Sequence, residues 1–288
     1  MNNSQLSETK NFDTSRLTFN KPEERKIPGT NMSYKLIKIG VKNKDNTRGD
    51  LLFSTPRVFS FGVQDNTSPN NTNQLNGYKF PLCLFNRDGA SPEERDFVTA
   101  FSDVIEECKN HLVKNKGSVG KYDLEKRDLK SLNPLYYKKE NGRPLLDKGP
   151  IFYVKLMTSK NKDTGGFNIL SLFSNEDTGK DIDPMDLHNK QCWARACIRF
   201  ENIFIGSRIS IQVKLWEAVV KPKDGARKRF LPKPLFSANT TSSTTSSNTS
   251  STTSSTTSST NQIQDSDDSS SESDSSEVEE KKTKKTKK

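Results

Sequence analysis

Cys192-Trp193-Ala194-Arg195-Ala196-Cys197-Ile198-Arg199-Phe200-Glu201 alternates with period two, and after Gly206-Ser207 the chain repeats the pattern in Ile209-Ser210-Ile211-Gln212-Val213-Lys214-Leu215-Trp216. In extended chain, residues two apart share a face. One face of this pair therefore collects Cys192, Ala194, Ala196, Ile198 and Phe200 with Ile209, Ile211, Val213 and Leu215, all small or aliphatic apart from Phe200. The other collects Trp193, Arg195 and Arg199 with Lys214 and Trp216. Two strands joined by a tight turn, one face apolar and the other cationic and aromatic, are the strongest structural signal in the chain.

The same period recurs upstream. Phe152, Val154 and Leu156 alternate with Tyr153, Lys155 and Met157, and Asp163-Thr164-Gly165-Gly166 offers a turn into Phe167–Phe173, so a further hairpin is expected. Strand formers also cluster at Tyr34–Ile39, Leu51–Phe53, Val58–Val63 and Tyr78–Phe85. Residues 64–77, dense in Asn, Thr, Ser, Pro and Gly, read as a surface loop. One long helix interrupts the strands. Ser91-Pro92-Glu93-Glu94 supplies a capping Ser, a Pro at the first helical position and a Glu three residues after the cap. Phe97, Phe101, Val104, Ile105, Cys108 and Leu112 then recur at three- and four-residue steps, with an end near Asn115–Gly117. A weaker helical pattern covers Asp123 to Leu132, and one turn is expected around Met185. Many strands, one long helix and no strand–helix–strand rhythm predict a mainly β fold, a small barrel with an inserted α-helix.

Composition divides the chain. From Ser237 to Thr260 almost every residue is Ser or Thr, and from Asp265 onward Ser, acids and Lys dominate. Such a stretch buries too little apolar surface to offset its ordering entropy, so 237–288 reads as a disordered tail. The expected organisation is a flexible N-terminal arm over 1–30, a folded domain over 31–222, a basic Pro-rich linker over 223–236, and the tail. The whole chain has 46 basic and 36 acidic side chains. The tail holds 6 Lys against 8 acids, which leaves residues 1–236 with 40 basic and 28 acidic groups, net +12. A folded body with that surplus attracts polyanions, nucleic acid foremost, although extra Lys also serves solubility.

Binding an unpaired strand needs a positive track for phosphates and flat side chains for bases. Trp193 and Trp216 supply rings, and Arg195, Arg199 and Lys214 supply charge; Tyr153 and Lys155 repeat the combination on another strand. A strand Trp is equally at home packed against its neighbours. If helix 91–115 covers this face, Tyr153, Lys155 and the strand at 34–41 would have to carry the groove. Catalytic readings fare poorly. The two histidines are His111 and His188; Cys108-x-x-His111 is half a metal site, and Asp181, Asp183 and Asp186 match no calcium loop. Neither a phosphate-cradling Gly loop nor a nucleophile signature is present, so an enzyme and a bound cofactor or metal are not expected. Cys83, Cys108, Cys192 and Cys197 read as reduced thiols, and the polar start predicts neither a signal peptide nor a membrane span.

The acidic run Asp265–Glu280 follows 28 uncharged residues, Ser237–Gln264, whose random-coil reach is about 30 Å. It is long enough to fold back onto the basic body and compete with DNA. Ser269, Ser271 and Ser276 each precede an acid by three residues and are candidates for phosphorylation.

Val58-Phe59-Ser60-Phe61-Gly62-Val63-Gln64, Asn76-Gly77-Tyr78, Pro81-Leu82-Cys83-Leu84-Phe85-Asn86-Arg87-Asp88-Gly89 and the Ser-Pro-Glu-Glu helix start, taken with Cys192-Trp193 through Lys214-Leu215-Trp216, resemble the single-stranded DNA-binding proteins of nucleo-cytoplasmic large DNA viruses. Those are similar to the replication single-strand binders of short-tailed phages. The resemblance covers roughly residues 30–222 and the style of the tail. It implies an OB-like barrel that coats single-stranded DNA in viral replication, recombination or repair, without a cofactor. The implied location is a viral factory in the host cytoplasm, or alternatively the nucleus. Viral replication proteins docked through the tail, and a homo-oligomer, are partners this reading admits. Here, however, the acids are followed by Lys281-Lys282-Thr283-Lys284-Lys285-Thr286-Lys287-Lys288, which puts tail docking in doubt. Two rivals stand beside it: a viral structural or scaffold protein using the same face, and a basic packaging protein indifferent to strandedness.

Overall fold

A computed structural model describes residues 4–27, 29–68, 71–86, 88–161 and 165–223. The chain begins with short strands β1 (Gln5–Ser7), β2 (Leu17–Phe19) and β3 (Glu23–Lys26), then the longer β4 (Ser33–Lys42). β5 (Arg48–Gly49), β6 (Leu51–Ser54), β7 (Val58–Ser60), β8 (Gln64–Ser68) and β9 (Asn71–Cys83) precede the helix α1 (Pro92–Lys114) and a further turn, α2 (Lys116–Val119). β10 (Leu135–Tyr137), β11 (Lys139–Glu140), β12 (Arg143–Pro144), β13 (Pro150–Leu156), β14 (Thr158–Lys160), β15 (Phe167–Ile169) and β16 (Leu172–Asn175) follow. The long antiparallel pair β17 (Cys192–Ile205) and β18 (Ile209–Pro222) ends the described chain.

Five strands close a barrel. β17 pairs β7, β7 pairs β9, β9 pairs β13, β13 pairs β18 in parallel, and β18 returns to β17. The length of β17 lets its other edge serve β7, β6 and β4 in turn, from Cys192 to Ile205. Two bulges break the β17–β18 ladder. Trp216 is the extra residue opposite the step Cys197–Ile198, and Glu201 is the extra residue opposite the step Val213–Gln212. A bulged residue has no partner across the ladder, and these two matter below.

The helix starts as its cap predicts. Ser91 Oγ accepts from the Glu94 backbone N–H at 3.2 Å, and the Glu94 carboxylate accepts from the Ser91 N–H at 2.8 Å. Its apolar stripe faces the inside of the barrel strands. Phe101 lies 5.2 Å from Phe152 and 5.0 Å from Phe200 between ring centroids, and Phe97 lies 6.4 Å from Phe53. Inward residues of β6, β13 and β17 are therefore sealed by the helix, and their outward neighbours stay open. Cys108, Cys192 and Cys197 are buried free thiols, with burial pushing Cys108 up to about 12 and the other two to about 11. His111 stacks on Phe19 at 4.1 Å, and burial lowers its pKa.

Three expectations are corrected. Residues 4–27 are not a loose arm. β1 pairs in parallel with β6, and β2 and β3 pair with β4, so the folded domain begins well before residue 31. In β3 the exposed Glu23, Glu24, Arg25 and Lys26 give no apolar period, because that edge strand is held by backbone bonds to β4, whereas Leu17 and Phe19 of β2 pack against the core. Residues 64–68 and 71–77 are not a loop; they belong to the paired strands β8 and β9, whose polar side chains a backbone ladder tolerates. The pattern at 123–132 becomes a 3-10 helix over Lys126–Leu132 that breaks at Leu129. A hairpin does bracket the expected turn, but its arms are β14 and β15, while β13 pairs with β9, β10 and β18; the turn near Met185 spans Pro184–Leu187. The linker beyond Lys223 and the tail over 237–288 lie outside the described residues.

Candidate nucleic-acid interface

Register turns scattered cations into a row. Lys79 on β9 pairs with Lys155 on β13, Lys155 pairs with Lys214 on β18, and Lys214 pairs with Arg199 on β17. Paired residues point to the same side of a sheet, so four cations line up across four adjacent strands on the outer face. With strands about 4.8 Å apart, the row is roughly 14 Å long. Like charges set directly opposite one another are unfavourable, and the row bears the sign of that cost. Burial pushes the Lys214 ammonium below the usual lysine range, and Lys155 and Arg199 push the same way while Glu201 opposes them.

Exposed rings flank the row on both sides. Tyr153 lies two residues before Lys155 and is 42% exposed, with Lys79 Nζ 5.5 Å from its centroid and Tyr136 edge-on at 6.3 Å. Trp216 lies two residues after Lys214 and is 37% exposed. Because β13 and β18 run parallel, Tyr153 and Trp216 stand on opposite flanks, about 13 Å apart along the strands. Trp216 shares the outward face of Lys214 and has no partner across the ladder, and the Arg199 guanidinium lies 4.9 Å from its centroid. Arg199 in turn bonds Glu201 and approaches Asp50 at 3.7 Å, so its charge is partly balanced before any ligand arrives.

Of the residues expected from sequence, Tyr153, Lys155, Arg199, Lys214 and Trp216 come together. Trp193 and Arg195 do not. Trp193 is six residues, or about 20 Å, from Arg199 along β17, and is half-buried against Phe59 at 5.8 Å beneath Arg57 at 5.2 Å. Arg57 is held bidentately by Glu176, with contacts of 3.0 and 2.9 Å. Arg195 lines a separate cleft with Lys10, Glu93 and Asp96, where helix carboxylates face it. Lys79 and Tyr136 were missed. Each joins the site through pairing with β13, a register that no local pattern announces. Among the described residues no three His, Cys, Asp or Glu side chains are grouped to hold a metal, and no helix is long and apolar enough to cross a membrane.

A closed five-strand barrel, capped by one helix on its inner side and open on a cationic, aromatic outer face, defines an OB-like module. By its sequence the chain belongs to the family described as "Protein of unknown function (DUF2738)", which it matches over residues 10–275. Its relatives are viral. The "Early 31 kDa protein" of Frog virus 3 (isolate Goorha) is 28% identical over 227 residues, covering 76% of this chain and 81% of that protein. The "Uncharacterized protein 007R" of Invertebrate iridescent virus 3 is 23% identical over 189 residues, covering 64% of this chain and 38% of that protein. The solved structure of gp2.5, a single-stranded DNA binding protein encoded by bacteriophage T7, aligns at a TM-score of 0.36 with 13% identity, over 60% of this chain and 87% of that one. At that score the likeness is partial.

Proposed function

We propose that this protein binds single-stranded DNA across the outer face of β9, β13, β18 and β17, and that it acts as a coat and not as an enzyme. The observation that carries the reading is the in-register row Lys79–Lys155–Lys214–Arg199 with Tyr153 and Trp216 on its two flanks. Four cations side by side are costly in the free protein and favourable against a run of phosphates. Rings on both flanks fit unpaired bases, which a duplex keeps stacked within itself. The protein's place would be viral DNA replication, recombination or repair, in the host-cell factory or nucleus. The acidic stretch Asp265–Glu280 would compete with DNA for the row, and viral replication proteins are its natural further partners.

Titration of the two tryptophans' fluorescence with oligo-dT and with a matched duplex, at several salt concentrations, tests this. Single strands should bind more tightly than duplex, with a log–log salt slope of about −3 for four phosphate contacts. Equal or better binding of duplex would point to packaging, and no binding near physiological salt would point to a scaffold. A 1–236 truncation should bind more tightly than the full chain at matched salt; equal affinity removes the competing tail from the proposal.

A further inference from the structure

A cavity of about 280 Å³ adjoins the row at its Arg199 end, between β3, β4 and β17. Leu36 lies in its wall, and Glu23, Lys38, Arg199, Glu201 and Asn202 supply its polar groups. From this site we infer that the protein selects among bases: the cavity takes one amino-bearing base, cytosine being the pyrimidine test case, and disfavours thymine. The inference rests on the single-strand reading above.

Charge balance argues against phosphate as the occupant. Lys38 is paired with Asp50 at 3.2 Å, Arg199 with Asp50 and Glu201, and Arg25 at the rim with Glu23 at 3.1 Å. Three cations, Arg25, Lys38 and Arg199, thus meet three carboxylates, Glu23, Asp50 and Glu201, and the cavity has no net positive charge to offer an anion. A base edge carries no net charge and offers donors beside acceptors, which suits alternating carboxylates and cations. Carboxylates accept from exocyclic amines such as cytosine N4. Thymine carries a carbonyl oxygen, O4, where cytosine carries N4, so a carboxylate of Glu23 or Glu201 that accepts from one base meets an acceptor on the other.

Asn202 adds a second, independent sign. Its Oδ1 is sealed from solvent with no hydrogen-bond partner, the single buried side-chain acceptor so placed among the described residues. Buried polar groups are nearly always satisfied, and an exception calls for an explanation. Turning this amide toward the cavity abandons no bond to Oδ1 and offers a base one donor and one acceptor. Asn202 pairs in register with Gln212 and Lys38, so it belongs to the same outward surface as the row. Arg199 belongs to both places: it covers Trp216 and lines the cavity. A base stacked at Trp216 therefore delivers its neighbour to the cavity mouth.

The test compares oligo-dC with oligo-dT of equal length on the full-length protein, using wild type, Asn202→Leu and Glu23→Gln. Neither substitution touches the four-cation row, and Glu23 is exposed, so its variant should fold even if the Asn202 variant does not. Wild type should prefer dC by about threefold to tenfold, as one or two net hydrogen bonds allow. Both variants should bring the ratio toward one, Asn202→Leu by losing dC affinity and Glu23→Gln by losing dC affinity and gaining some for dT. Equal dC and dT affinity in wild type, or a dC preference that survives both substitutions, overturns the base-selecting cavity and leaves single-strand binding standing. Failure to bind either oligomer instead sinks the single-strand reading itself.

Discussion

Arg199 lies 4.9 Å over the Trp216 ring, and each of the two bulges in the β17–β18 ladder delivers one of its partners. The extra residue on β18 is Trp216 itself; the extra residue on β17 is Glu201, which Arg199 bonds on its other side. Alternation already sets Trp216 on the face of Lys214 and Glu201 on that of Arg199; the bulges leave each without a partner of its own across the ladder, so both are free to meet Arg199. The bulges make Arg199 the hinge point between the cationic row and the neighbouring cavity. One face of Trp216 is thus already occupied by a cation, which leaves the other for a base.

Trp216→Ala should weaken binding of oligo-dT by the worth of one stacked base, about 1–3 kcal/mol. The ring is more than a third exposed and lies on the outward face with Lys214, so the melting temperature should barely move. Anisotropy titration with a thermal melt on the same preparation checks both halves. A large drop in melting temperature would make Trp216 a packing residue and remove it from the site.

Lys79→Gln with Lys155→Gln should lower affinity for all sequences alike and flatten the salt dependence. Each lost phosphate contact removes about 0.7 from the log–log slope, so the pair should remove about 1.4. An unchanged slope at reduced affinity would mean that these lysines act through the fold and not on phosphates. Arg195→Gln is the internal control, because its cleft with Glu93 and Asp96 is separate from the row, and it should leave the slope unaltered.

The contrast between Arg195 and Lys79 marks how far the sequence could be read. Period two sorted β13, β17 as far as Phe200 and the first part of β18 into inward and outward residues, with Cys197, buried despite its outward place, as the exception; the cap and stripe of α1 were legible because both are local. What could not be read was which outward residues meet. Lys155 faces Lys214 because β13 and β18 run parallel, and Lys79 faces Lys155 because β9 lies on the other side. Those pairings are set by contacts between distant segments. Trp193 and Arg195 share a face with Arg199 by alternation, yet their distance along β17 carries them to other neighbours. The N-terminal strands were invisible for a related reason: β3 is held by its backbone bonds to β4, and Glu23 to Lys26 show only solvent-facing side chains.

Phe101→Ala should separate fold from site. Phe101 meets Phe152 and Phe200 at the centre of the packing between helix and barrel, and its loss leaves a cavity worth about 3–5 kcal/mol of stability. The strands it touches present Tyr153, Lys155 and Arg199 on their far side. Urea unfolding should report the full loss, while oligo-dT affinity per folded molecule, measured well below the midpoint, stays near that of wild type. Affinity falling in step with stability would mean that the helix shapes the outer face directly.

Binding should weaken as the solution turns alkaline, and Lys214 should be the main reason. Burial holds its pKa below the usual lysine range, with Lys155 and Arg199 adding to the shift. In the free folded protein the proton is therefore lost earlier than in the unfolded chain. Between those two titrations the unfolded state binds more protons, so the folding stability of the free protein rises with pH through that window. DNA acts in the opposite sense, because a phosphate beside the ammonium favours the charged form. The complex keeps a proton that the free protein has begun to release, and affinity falls as pH climbs through the Lys214 titration. Lys214→Arg replaces the group with one that stays charged throughout. Dissociation constants for oligo-dT taken from about pH 7 to about pH 9.5 at constant ionic strength should fan out, wild type losing affinity faster than the arginine variant. Parallel curves would show that Lys214 carries no phosphate, and would shorten the row to its remaining three cations.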